Sequence, residues 1–90
     1  MIEIKTAAKI NASSAPELEE QMNQALASGE SEIVVNMEDT TYLSSVGLRV
    51  FASAQKKVNA DGRTMVLTNV RKQILEIFEV TGFVGVLTIE

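Results

Sequence analysis

Two adjacent serines, Ser44 and Ser45, have the clearest chemical potential in this sequence, because they stand directly before a helical pattern that starts near Gly47. A helix start brings free backbone N–H groups and the positive end of the helix dipole to such hydroxyls, and both stabilise an attached phosphate. Serine is also a preferred N-cap residue, whose loss costs about 1 kcal/mol. Position alone favours the cap, since caps are far commoner than modified serines.

The composition argues against catalysis and metal binding. The chain has no His and no Cys, so it lacks imidazole bases, thiol nucleophiles, disulfides and the usual nitrogen and sulfur ligands of zinc. The Ser44–Gly47 stretch is not a G-x-S-x-G elbow, and no histidine could activate a serine for hydrolysis. The glycines do not form a nucleotide-binding fingerprint, and acids such as Asp39 lie in turns where solvation is expected. We expect a protein that is not an enzyme and has no metal or cofactor.

Charge and length restrict the partners and the compartment. Eight Lys and Arg against twelve Asp and Glu give a net charge of -4, which predicts no general attraction to nucleic acid or anionic lipid. No apolar run approaches the roughly 18 residues of a membrane span, and the first residues do not resemble a signal peptide. We expect one cytoplasmic domain over residues 1–90, monomeric, with no nucleic-acid partner and no direct membrane contact.

Hydrophobic patterning predicts the elements that hold the serine pair. Ile2–Lys5 alternates as an edge strand, with Ile10 as a candidate extension, and a helix starts at Ser13–Glu17 and ends at Gly29. Short apolar runs predict buried strands, and helical spacing predicts two further helices. The strands are Ile33–Val35, Met65–Leu67 and Val86–Ile89; the second helix carries Leu48, Phe51, Ala52, Gln55 and Val58 on its core face and ends at 59–62; the third carries Ile74, Ile77 and Phe78 and ends at Thr81-Gly82.

This alternation of strands and helices predicts an α/β fold, with a single mainly parallel or mixed sheet of about four strands and three or four helices packed on it. Functional groups in such sheets gather at the carboxyl ends of strands, where the Asp39–Gly47 loop lies. The second helix also has Val46, Val50, Ser53 and Lys57 on the face opposite its predicted core, with Arg49 beside them. Apolar atoms next to Ser45 favour either a partner-binding surface or packing under a neighbouring segment.

The stretch from Ile33 to Gly82 resembles a STAS domain, the fold of bacterial anti-sigma factor antagonists. That family has a hydrophobic strand ending in Asp or Asn, a polar turn, an aromatic and an aliphatic residue, and then Asp-Ser-Ser/Thr-Gly-Leu opening a helix. The corresponding segments here are Ile33–Asn36, Glu38–Thr41, Tyr42-Leu43 and Ser44–Val50. The segments 11–18, 62–70 and 77–83 are also similar to the family, so the resemblance covers most of the chain.

The resemblance implies a role in partner switching. In this family the unphosphorylated protein binds an anti-sigma factor that is also an ATP-dependent serine kinase, which releases the sigma factor. Phosphorylation ends the interaction, and a PP2C-type phosphatase restores it. By position the phosphorylated serine is Ser45, with Ser44 as a minor candidate standing where the family usually has an acid. The implied partner-binding residues are Ser44, Val46, Gly47, Arg49 and Val50.

Two departures from the family keep a second function open. Ser44 replaces the usual acid, and the chain is short for the extra N-terminal strand and the C-terminal helix that many members have. The alternative is a STAS subunit that is not phosphorylated, such as the small partner of a lipid-transport ABC ATPase or a component of another signalling assembly.

Overall fold

The computed structural model describes all residues, 1–90, and contains five strands, three α-helices and one turn of 3-10 helix. In chain order these are β1 (Ile2–Lys5), β2 (Lys9–Ile10), α1 (Ala15–Ala27), β3 (Glu32–Asn36), β4 (Tyr42–Leu43), α2 (Ser45–Ala60), β5 (Thr64–Thr68), α3 (Lys72–Val80) and the 3-10 turn Phe83–Gly85. The predicted α/β architecture with a mainly parallel sheet is confirmed.

The main sheet has the order β1-β3-β5, and all of its strands are parallel. β3 is central, as its run of β-branched residues predicts, and β1 is an edge strand. Ile33 and Val35 on β3 are fully buried, as are Met65 and Leu67, the residues that they oppose on β5. This apolar layer fixes the strand register, because a slip of one residue would turn it toward solvent.

A second, two-stranded sheet pairs β2 with β4 in parallel, with Lys9 opposite Tyr42 and Ile10 opposite Leu43. From the sequence Ile10 was expected only as an extension of the first strand, and this separate pair was not predicted. Ser44 continues the ladder, since its backbone N–H donates to the Ile10 carbonyl at 2.8 Å. The small sheet therefore supports the chain immediately before α2.

The three helices begin and end close to the predicted positions. At the start of α1 the side chain of the N-cap residue, Ser14, does not bond to the first turn of the helix. The Asn11 carboxamide accepts hydrogen bonds from the backbone N–H groups of Ser13 and Ser14, and the Ser14 hydroxyl instead donates to the Lys9 carbonyl. None of the helices combines the length and the apolar character that crossing a bilayer requires.

The predicted last strand, Val86–Ile89, is wrong in extent. The chain forms the 3-10 turn at Phe83–Gly85, and only Ile89 makes a parallel bridge, to Leu67 on β5. Thr88 explains how this segment is held, because its carbonyl accepts from the Leu67 N–H at 2.9 Å and its N–H donates to the buried side chain of Gln55. A single side-chain amide thus substitutes for part of a strand ladder.

One hydrophobic core lies between the sheet and the helices. Phe51 of α2 and Phe78 of α3 meet edge to face in this core, with ring centroids 6.4 Å apart and planes at 82°. α2 packs against α1 as well as against β5 and Phe78 of α3, so more than one of its sides is covered. This double packing fixes the orientation of the first turn of α2.

Candidate functional site

The two serines at the start of α2 have different environments. Ser44 is the N-cap residue, in extended conformation, half-buried, and its hydroxyl oxygen accepts a hydrogen bond from the Gly47 backbone N–H at 3.5 Å. Its own N–H and carbonyl are also used, the N–H by Ile10 and the carbonyl by the Leu48 N–H. Of the two serines, Ser44 is therefore the one that caps the helix.

Ser45 is the first helical residue and is exposed, and no side-chain hydrogen bond of the protein involves its hydroxyl. No acidic residue lies in the first turn of α2, so the positive end of the helix dipole is not balanced by a carboxylate there. The neighbouring cap already occupies the best backbone donor. The hydroxyl of Ser45 is thus sterically free, and it lies in an environment that favours negative charge.

Gly47 fixes the height of this turn above the small sheet. A Cβ atom placed on Gly47 would lie 2.6 Å from Cγ2 of Ile10 and 2.6 Å from Cδ1 of Leu43, which is far inside normal contact distance. Ile10 and Leu43 are both buried, so their side chains have little room to move away. The glycine is required because the helix backbone rests directly on β2 and β4.

Buried threonines hold the loop that leads into the site. The hydroxyls of Thr6 and Thr40 bond to each other, and the Thr40 hydroxyl also reaches the Ala7 carbonyl at 2.7 Å. Thr40 is fully buried, and the adjacent Thr41 N–H donates to the Ala8 carbonyl at 2.8 Å. The loop between β3 and β4 is thereby tied to the segment between β1 and β2, and it delivers Ser44 and Ser45 in a fixed position.

The predicted apolar surface beside Ser45 is only partly present. Val46 is 39% exposed, as expected for a contact residue. Val50 is only 8% exposed and belongs to the hydrophobic core, so its expected role as an exposed partner contact is wrong, and the alternative of packing under a neighbouring segment is confirmed for it. Val50 lies on the side of α2 that faces away from the sheet, and it is shielded from solvent because α1 packs against that side. Gly47 is buried as well, against Ile10 and Leu43.

A groove of about 300 Å³ runs between α1 and α2 and begins beside Val46. Its apolar lining comes from both helices: Met22, Leu26, Val46, Val50 and Ala54. Arg49 and Lys57 lie on the α2 side of the groove, and Glu19 lies on the α1 side. The contribution of α1 was not foreseen, although Met22 and the half-buried Leu26, four residues apart on one helical face, were a signal for it.

The two helices that form the groove carry opposite charges. α1 contains Glu17, Glu19 and Glu20 and no basic residue, whereas α2 contains Arg49, Lys56 and Lys57 and no acid. The ion pairs of the molecule lie elsewhere and involve the N-terminus, Lys5 and Arg63. Arg49 is exposed and therefore free to meet a group from outside or from the first turn of its own helix.

Of the five contact residues expected from the sequence, the structure presents Val46 and Arg49 at the surface, leaves Ser44 half-buried and buries Gly47 and Val50. Val46, Arg49 and Val50 line the groove, whereas Ser44 and Gly47 lie beside it at the start of α2, with Ser45 exposed between them. The modification of Ser45 itself stays a prediction.

Comparison with known proteins gives a consistent result. A family model described as STAS domain matches residues 2–90. The anti-sigma-B factor antagonist of Staphylococcus aureus (strain NCTC 8325 / PS 47) is 31% identical over 80 residues, which are 89% of this chain and 74% of that protein. The anti-sigma-B factor antagonist of Bacillus subtilis (strain 168) is 30% identical over 88 residues, covering 98% of this chain and 80% of that protein.

The fold has a counterpart among solved structures. The anti-sigma factor antagonist SpoIIAA in its unphosphorylated form superposes with a TM-score of 0.80, covering 98% of this chain and 77% of that chain. Its sequence identity of 13% is too low to carry residue roles across, so this similarity speaks for the fold alone.

Proposed function

This chain belongs to the STAS domain family, and from that premise we propose that it acts as an anti-sigma factor antagonist in a partner-switching pathway. In its unphosphorylated form it binds an anti-sigma factor that is also a serine kinase, and so releases a sigma factor in the bacterial cytoplasm. Phosphorylation of Ser45 ends this binding, and a PP2C-type phosphatase reverses it. The role requires no catalytic group and no cofactor of this chain.

The single observation that carries the proposal is the difference in environment between the two serines. Ser44 is occupied as the helix cap, while Ser45 is exposed and its hydroxyl is free. The kinase transfers the γ-phosphoryl group of ATP to Oγ of Ser45, with loss of the hydroxyl proton and release of ADP. The phosphatase hydrolyses the new P–O bond with water and returns the serine and inorganic phosphate.

The binding surface in this proposal consists of Ser45, Val46 and Arg49 together with the groove between α1 and α2. Val46 supplies an apolar contact, and Arg49 and Lys57 attract acidic side chains of the partner. Gly47 and Val50, which the sequence placed among the contacts, are buried beneath this surface. Their role is indirect, because their packing sets the position of the surface residues.

A phosphate on Ser45 adds about -1.5 to -2 charges to a chain whose net charge is already -4. It stands at the edge of the surface that attracts acidic groups, so like-charge repulsion and the hydration of the phosphate both oppose binding. The first turn of α2 tolerates the phosphate, since the helix dipole favours negative charge there. We therefore expect the switch to act on the interface and not on the fold.

The test compares charge variants in calorimetric binding to the purified anti-sigma factor kinase of the same organism. Ser45→Asp should weaken binding by roughly tenfold or more, and Ser45→Ala should bind as tightly as the parent protein and stay bound when ATP is added. Ser31→Asp is the matched control, because Ser31 is exposed and directly precedes β3, at the amino-terminal end of that strand and away from Ser45. Equal affinities for the Asp and Ala variants at position 45 would contradict the proposal.

Intact mass of the protein from its own host, with and without phosphatase treatment, tests the modification directly. A phosphate localised to Ser45 supports the switch, whereas a phosphate on Ser44 would contradict the assignment. Complete absence of phosphate across growth conditions would favour the second candidate, a STAS subunit that is not phosphorylated, as in a lipid-transport ABC complex. That candidate predicts a stable complex with an ATPase that ATP does not dissolve.

A further inference from the structure

Arg49 is one helical turn beyond Ser45 on α2 and has no ion-pair partner in the unmodified protein. Residues four apart on a helix lie on the same face, with their Cβ atoms about 5–6 Å apart. This spacing is within reach of an arginine side chain. The order also matters, because an anionic group placed N-terminal to a cation at this spacing is the more favourable arrangement.

We infer that Arg49 captures the phosphate of phosphorylated Ser45 and is thereby withdrawn from the partner-binding groove. This inference rests on the proposed function, because it assumes that Ser45 is the modified residue. The guanidinium group of arginine presents a planar set of N–H donors that fits phosphate oxygens, and charge-assisted hydrogen bonds of this kind are stronger than neutral ones. Phosphorylation then changes the surface twice, since it adds a negative group and also removes a positive contact from the rim of the groove.

The surroundings of Arg49 favour the exchange. Glu19 of α1 faces Arg49 across the groove, and Glu20 of α1 lies close to Val46, but neither forms an ion pair with Arg49. Lys57 lies eight residues further along α2, about 12 Å from Arg49, and does not compete for a phosphate at position 45. A doubly charged phosphate on the same helical face is therefore the strongest anion within reach of Arg49.

The physical test needs no kinase. Phosphoserine is placed at position 45 of the full chain by genetic code expansion, and the phosphate is titrated by ³¹P NMR. A cation held beside the phosphate stabilises its dianion and lowers the second pKa of phosphoserine below its ordinary value. Arg49→Gln should therefore shift the titration midpoint to higher pH. Arg49→Lys should recover part of the effect, because it restores the charge but not the planar set of donors.

Lys57→Gln is the matched control, since it removes the same charge from the same helix about 18 Å from Ser45, beyond the Debye length of roughly 8–10 Å at moderate salt. It should leave the midpoint unchanged, and 1 M NaCl should reduce the difference between the parent protein and Arg49→Gln. Glu19 and Glu20 are present in every variant and so do not affect the comparison. Equal midpoints for Arg49→Gln, Lys57→Gln and the parent would overturn the inference.

A second measurement separates this inference from the proposed function. If Arg49 is withdrawn, the loss of kinase affinity on phosphorylation should be smaller in Arg49→Gln than in the parent protein, because the variant has no arginine contact to lose. A higher titration midpoint in Arg49→Gln than in the parent, together with a kinase affinity that phosphorylation does not change, would support the ion pair and count against the proposed function. No phosphate shift together with normal switching would count against Arg49 capture and leave the proposed function intact.

Discussion

The helices α2 and α3 both follow the carboxyl ends of strands, after β3-β4 and after β5, and their starts are built by different means. α2 begins on buried packing: Gly47 rests on Ile10 and Leu43, and Ser44 caps the helix. α3 begins without a side-chain cap at Arg71, after Asn69 in left-handed conformation with φ of 55°.

The start of α3 combines the buried side chain of Ile74 with exposed polar contacts to the β3–β4 segment. Arg71 Nε donates to the Glu38 carbonyl at 2.7 Å, and the Asn69 side-chain amide donates to Asn36 Oδ1 at 3.2 Å. Such contacts contribute little, because water competes for both partners. The difference teaches that the helix backbone is packed directly against a sheet at the point where Ser45 is presented. A switch that acts through surface charge requires a surface that does not move when the charge is added, and α2 provides it.

The strongest test of this contrast is Gly47→Ala. We expect a loss of about 1 to 2 kcal/mol in the free energy of unfolding, because the new methyl group enters a filled contact with Ile10 and Leu43, and the better helix propensity of alanine offsets only part of the cost. The measurement is urea unfolding followed by circular dichroism. Binding by the folded variant should also weaken, since the turn that carries Val46 is displaced.

Gly85→Ala is the control for Gly47→Ala. A Cβ on Gly85 meets no atom within 4 Å, and its backbone is not left-handed, so its stability should stay within about 0.5 kcal/mol of the parent. Equal stabilities for the two alanine variants would mean that the α2 start is no more tightly packed than the C-terminal turn.

The second test separates the two serines. Ser44→Ala should reduce stability by about 1 kcal/mol through loss of the cap to the Gly47 N–H, while Ser45→Ala should change it by less than about 0.5 kcal/mol. Thermal unfolding of both variants beside the parent measures this difference. The reverse order of stabilities would assign the cap to Ser45 and would remove the argument that its hydroxyl is free.

Much of the region around Ser45 was predictable from sequence because the signals are local. Hydroxyls before a helical pattern, the run of β-branched residues in β3 and the stop at Gly62 each act within a few residues. Which of the two serines caps the helix was not predictable from composition, since either serine can act as a cap. It depends on which backbone carbonyl the chain meets, and the Ile10 carbonyl selects Ser44.

The errors concern contacts between segments that are distant in the chain. The β2–β4 pair contains two residues per strand, which is too short for any periodicity. Val50 reads as exposed when α2 is considered alone, and it is buried because α1 packs against that side. The last strand is a single bridge because the buried Gln55 amide holds Thr88 beside the sheet. Each depends on tertiary packing that a local pattern does not encode.

The smallest expected effect belongs to Arg71. Arg71→Met keeps the length of the side chain and removes the donor to the Glu38 carbonyl, and we expect a loss of about 0.5 kcal/mol, because the contact is exposed. The effect should be local. Hydrogen exchange of the Leu75 N–H, which donates to the Arg71 carbonyl, should accelerate about twofold.

The matching amide at the start of α2 is the Leu48 N–H, which donates to the Ser44 carbonyl, and its exchange should be slower than that of Leu75 and insensitive to Arg71→Met. Lys72→Met is the control, since Lys72 lies next to Arg71, carries the same charge and is equally exposed. Faster exchange at Leu48 in Arg71→Met would show that the two helix starts open together. The start of α2 would then owe its rigidity to the loop shared with α3, and not to the packing of Gly47 on the small sheet.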